Sequence, residues 1–173
     1  MKDILKFITM LIISLIIAIF MYPFVHELGH SFACMLLGIN VIDFEVLPIP
    51  YILCDMTFAN KIDTIIIGNA GNLMPAFIVY ITYLFKIKNF NIKFARFYFN
   101  CCCIISYIVT IISIIITKLG NFDLVYQDDV AQLVNMYDNI WIQHLLIYIV
   151  LIIISLIMII KNKPIKTLLK HFE

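Results

Sequence analysis

Uncharged runs of isoleucine, leucine and phenylalanine constrain this chain more than any other feature. "LIISLIIAIF" at residues 11–20 and "YIVLIIISLIMII" at residues 148–160 approach the length needed to cross a bilayer. A water-soluble core does not need runs of that kind. The composition agrees, with 64% of residues hydrophobic and 13% charged, where soluble domains hold about half and about a quarter. The expected class is therefore an all-α integral membrane protein with four to five transmembrane helices. At 173 residues it forms one domain. A formal net charge of +1 gives no basis for nucleic-acid binding.

Apolar periods and breakers divide the chain. Spans are expected at about residues 4–21, 62–85, 94–116 and 140–160. A separate helical piece runs over 23–38, entered at Pro23 and stopped by Gly38 and Asn40. The first span has lysines before it but no small-residue cleavage site after it, so it reads as a retained helix and not a signal peptide. Residues 40–60 change character: "VIDFEV" alternates and "PIP" breaks helices, predicting a short hairpin or irregular extended segment. Residues 118–139 form the most polar and most acidic stretch.

Basic residues gather at the N-terminus, in "KIKNFNIKFAR" (86–96) and in the tail "KNKPIKTLLK". The positive-inside rule puts these three zones, and both termini, on the cytoplasmic side. The expected location is the cell membrane of a prokaryote. That parity requires residues 1–39 to cross once, which favours a long kinked helix through Pro23 over two separate pieces.

Five cysteines, Cys34, Cys54, Cys101, Cys102 and Cys103, show no CxxC spacing. Their odd number fits no closed disulfide framework. The "CCC" run fans around a helix and suits packing better than metal binding.

Against this background "HELGH", residues 26–30, stands out. It fits H-E-x-x-H. On a helix, His26 and His30 lie one turn apart on one face, as two ligands of one zinc ion require. Glu27 sits beside the first ligand, where it can take a proton from an attacking water without ligating. Zinc lowers the pKa of a bound water toward neutrality and so supplies hydroxide for hydrolysis. Ionisable groups at membrane depth cost a few kcal/mol each and mark functional sites by default. A hydrolytic zinc site also needs a third protein ligand and one open position. His144, His171, the hairpin acids Asp43, Glu45 and Asp55, and the later acids Asp123, Asp128, Asp129 and Asp138 are the choices. "YQDDVAQLV" reads as the start of a short helix, in which one aspartate caps and the other is free to face a metal.

"FVHELGHSFACMLLGI" resembles the metal-binding helix of the site-2 protease family of intramembrane zinc metalloproteases. "GNAGNLMPAFIVY", residues 68–80, is similar to the segment that opens the family's next core helix, with Asn72 at a proline position and Pro75 where asparagine is common. The family's Asn-Pro-Asp-Gly motif is absent. "DVAQL" matches instead the Asp-apolar-x-x-apolar helix start of its compact, single-domain members. The resemblance implies His26 and His30 as zinc ligands, Asp129 as third ligand with Asp128 as fallback, and Glu27 as general base. The implied activity is hydrolysis of peptide bonds in or near transmembrane segments of membrane-protein substrates. Asn69 and Asn72 admit two uses, binding an extended substrate backbone or bridging helices at the small residues Gly68, Ala70 and Gly71. Two other functions compete. One is a non-catalytic zinc-binding membrane protein, in which Cys34, on nearly the same face as His26, joins a closed site. The other is a metal transporter, disfavoured because the ionisable residues cluster at one motif.

Overall fold

In the computed structural model, which describes residues 2–46, 50–85, 87 and 89–162, four helices are long and apolar enough to cross a membrane. In chain order the elements are α1 (Lys2–Leu36), the hairpin β1 (Val41–Glu45) and β2 (Tyr51–Cys54), α2 (Lys61–Leu84), α3 (Phe90–Lys118), the short α4 (Asp129–Met136) and α5 (Trp141–Asn162). The basic tail, His171 included, lies outside the described residues.

α1 is one continuous helix with Pro23 inside it, so the expected pieces at 4–21 and 23–38 are joined. A proline deep in a helix removes one backbone hydrogen bond and normally kinks or breaks it. Packing against α2 and α3 on either side of Pro23 holds this one together. Thirty-five residues at about 1.5 Å each make α1 roughly 52 Å long. Gly38, at φ 69°, turns the chain out of it, with Ile39 N–H donating to Cys34 O at 2.9 Å.

α2, α3 and α4 start on side-chain caps. Asn60 and Asp63 form a reciprocal capping box on α2, and the Asn89 side chain accepts from the backbone of α3 at Asn91 and Ile92. α1, α2, α3 and α5 run alternately up and down. Tyr107, Tyr148, Val79 and Ile114, with Val130 and Val134 of α4, make the buried core. Isoleucines and leucines of α1 and α5 face outward, Ile4 at 63% and Ile160 at 71% exposure. The outer surface is thus apolar where a soluble protein would carry charge.

The expected hairpin is present. β1 and β2 pair antiparallel with Phe44 opposite Ile52, and the register shifts between Val41 and Asp43. Across its exposed face the Tyr51 hydroxyl donates to Asp43 at 2.5 Å. That hydrogen bond to a carboxylate pushes the phenol up to about 12. One expectation fails here. Cys34, on α1, and Cys54, at the end of β2, form a disulfide. An odd cysteine count leaves one thiol over but does not forbid a pair, and the tight turn at Gly38 folds β2 back onto the last turns of α1. Cys101, Cys102 and Cys103 are free thiols, and Cys103 packs in the core.

Candidate metal site

The helical spacing of "HELGH" brings His26 and His30 together with ring centroids 4.8 Å apart. Their Nε2 atoms are 3.2 Å from each other. Asp129, the first residue of α4, supplies the third atom, with Oδ2 3.2 Å from His26 Nε2 and 3.1 Å from His30 Nε2. Four ligands around zinc at about 2.0–2.1 Å stand about 3.3 Å from one another, the edge of the tetrahedron. The observed triangle has that size. His26, His30 and Asp129 also form a group of metal-binding type among the described residues.

The protonation pattern favours a cation. His30 Nδ1 lies 2.7 Å from the carbonyl oxygen of Ile67, and only an N–H can make that contact. In the neutral ring the lone pair is then on Nε2, aimed at a carboxylate oxygen and a second imidazole nitrogen. A proton satisfies one pair of these atoms. A divalent cation satisfies all three at once, and the Ile67 carbonyl fixes the ring for it.

Two glycines make room for this arrangement. Gly29, between the histidines, lies so close to Ala70 of α2 that an added Cβ would strike the Ala70 carbonyl. Gly71 is nearer the chemistry. A Cβ there would come within 2.7 Å of His26 Cε1 and Nε2 and closer still to His30 Nε2. α2 therefore walls the site with bare backbone.

Asp128 and Asp129 divide the two roles open to them. Asp128 is the N-cap of α4, accepting from Ala131 N at 2.8 Å, while Asp129 faces the imidazoles. Burial pushes the Asp128 carboxyl above the usual carboxylate range, against the hydrogen bond from Ala131 N–H. Glu27 lies outside the group of three, yet it lines the same cleft as His30 and Asp129. That cleft has a volume of about 280 Å³ and is otherwise mostly apolar, walled by Ile52, Met56, Leu133 and Met136 among others. Ile52, on β2, lines the cleft together with Glu27. The disulfide fastens this strand to α1 four residues beyond His30.

The remaining candidates lie elsewhere. Asp43 pairs with Tyr51, and Asp55 accepts from Thr57 N–H and its hydroxyl, which together lower its carboxyl below the usual value. Asp138 forms an ion pair with Lys118 that ties the end of α3 to the start of α5. His144 is buried but accepts from Asn69 Nδ2 at 2.9 Å while its Nδ1 donates to Ile140 O. Cys34, bonded to Cys54, is not a thiolate ligand. Asn69 Oδ1 accepts from the Tyr148 hydroxyl. Asn72 is buried and meets Tyr22, Ser106, Thr110 and Tyr148. Both amides thus bridge helices. The Ile67 carbonyl carries no signal in sequence, because backbone groups are the same in every residue. Gly71 was visible as a small residue on α2, but its role depends on how that helix is rotated.

No family model, no curated protein and no solved structure matches this chain.

Proposed function

We propose that this chain is an intramembrane zinc metalloendopeptidase that hydrolyses peptide bonds in or near transmembrane segments of other membrane proteins. The observation that carries the reading is the convergence of His26 Nε2, His30 Nε2 and Asp129 Oδ2 within 3.1–3.2 Å, with Glu27 beside them and not among them. The resemblance of "HELGH" and its flanks to site-2 proteases points the same way. His26 lies about 15 Å along α1 from its C-terminal end at 1.5 Å per residue. A hydrocarbon layer about 30 Å thick would enclose a site at that depth if α1 ended at its surface.

His26, His30 and Asp129 would hold the ion and leave one position open toward the cleft. Zinc in that place supplies Lewis acidity, both to a water and to the carbonyl under attack. Glu27 takes the proton of the attacking water and delivers it to the departing amine. Ile67 O keeps His30 in the tautomer that ligates. The apolar walls of the cleft suit the side chains of a membrane helix once it is locally unwound.

The test is metal analysis of detergent-purified protein, alongside cleavage of a panel of tagged single-span membrane proteins reconstituted with it. Wild type is expected to hold one zinc per chain and to cut at least one panel member. Glu27→Gln should keep the zinc and lose cleavage, and His26→Ala should lose both. Zinc-free wild type would remove the metal site, and undiminished cleavage by Glu27→Gln would remove the general base.

A further inference from the structure

Asp129 is the one ligand that does not sit on α1, and α4, which carries it, has eight residues. A helix that short does not hold itself in place; isolated helices below about 12–15 residues are marginal. Val130, Ala131, Leu133 and Val134 bury its apolar face, but apolar burial is non-directional and tolerates sliding. Directional contacts must therefore set where Asp129 points.

We infer that Asp128 is the positioning residue of the metal site: its carboxylate clamps the first turn of α4 to α3, so that Asp129 meets the two imidazoles. The inference rests on the metal reading above and adds to it. One Asp128 oxygen, Oδ1, accepts from Ala131 N at 2.8 Å within α4. The other, Oδ2, accepts from Thr110 Oγ1 on α3 at 3.4 Å, and the buried Ser113 stands one turn on along the same face of α3. Thr110 in turn accepts from Asn72 Nδ2 on α2. Asn72 Oδ1 accepts from Ser106 of α3 at 3.0 Å and from Tyr22 at 3.4 Å. Tyr22 lies on α1, one turn before His26. The contacts close a ring from His26 through Asp129, Asp128, Thr110, Asn72 and Tyr22 back to the helix that bears the histidines. An N-cap that served only its own helix would need no second element on its other oxygen.

Zinc affinity of the full chain in detergent, measured against a chromophoric chelator, tests this together with the visible spectrum of the cobalt-loaded protein. Asp128→Ser keeps a cap acceptor for Ala131 N–H but is too short to reach α3. The double variant Thr110→Val/Ser113→Ala leaves Asp128 and the cap intact and removes the far side of the clamp, with the contact from Thr110 to Asn72. Both are expected to bind zinc about 10–100-fold more weakly, the usual cost of losing an outer-shell partner. Both should also shift the cobalt bands while helicity stays at the wild-type value. Asp128→Asn, which retains an acceptor for the cap and a group that reaches α3, should recover most of the lost affinity. Wild-type affinity and spectrum in folded Asp128→Ser and in the double variant would overturn the inference. So would Asp128→Asn as weak as Asp128→Ser, because charge and not contact would then be at work. If Asp128→Ser fails to fold, the double variant decides. A wild type that binds no zinc is a different result, since it removes the metal reading itself.

Discussion

At Gly71 the candidate metal site depends on an atom that is missing. An alanine Cβ there would fall within 2.7 Å of the His26 ring and nearer still to Nε2 of His30. Neither ring can retreat without cost. His30 is tied through Nδ1 to Ile67 O, and His26 is held against it one helical turn away. Gly71→Ala is therefore expected to lower zinc affinity at least tenfold, comparable with losing an outer-shell contact, while alanine favours the helix itself. Zinc competition and far-ultraviolet circular dichroism on the same sample separate these effects, and wild-type affinity in a folded Gly71→Ala protein would refute the claim. His26 and His30 were legible as candidate ligands because ionisable residues have no cheap reason to stand in an apolar run, and Asp129 was legible only through the resemblance of its helix start. Gly71 was legible only as one of several small residues on α2. Choosing among them needs the rotation of that helix, which sequence periodicity does not give at this resolution of faces.

The hairpin is the element that turns the histidine-bearing helix into one wall of a cleft. β2 lines that cleft with Ile52, Leu53 and Cys54, and the Cys34–Cys54 bond fastens the strand's end to α1. The alternating "VIDFEV" pattern made the strands legible. Their covalent anchor was not, because pairing depends on which turn of α1 the hairpin folds back upon. Closing a loop with a sequence separation of 20 removes unfolded-state freedom equivalent to about 3 kcal/mol. The disulfide should leave three of the five cysteines open to alkylation in denatured, unreduced protein, and five after reduction. In the folded protein, Cys54→Ser should speed amide exchange across residues 41–54 and leave α2 and α3 unchanged, as read by hydrogen-exchange mass spectrometry. Five labelled cysteines before reduction, or an exchange pattern unaltered by the substitution, would show that the bond does not hold the strand.

For the whole molecule, the alternation of α1, α2, α3 and α5 gathers unlike chemistry at opposite ends. The N-terminus of α1 and the start of α3 carry Lys2, Lys6, Lys93 and Arg96, and α5 ends at Lys161. The opposite end holds the hairpin, the disulfide and the acidic segment that contains α4. Positive charge favours the cytoplasmic face, and disulfides persist where the environment is oxidising. The two rules rest on independent physics, and both predict that the hairpin end faces away from the cytoplasm. Helix number and charge polarity were readable from the sequence because both follow from local composition. That the acidic segment meets the histidines through Asp129 was expected from the helix start in "DVAQL" and its resemblance, but how α4 packs against α2 and α3 to bring it there was not legible. A phosphatase reporter, active only outside the cytoplasm, should therefore work when fused after Asn121 and fail when fused after Ile87. The reverse pattern would put the cleft on the cytoplasmic side, and the disulfide would then sit in a reducing compartment where it could not persist.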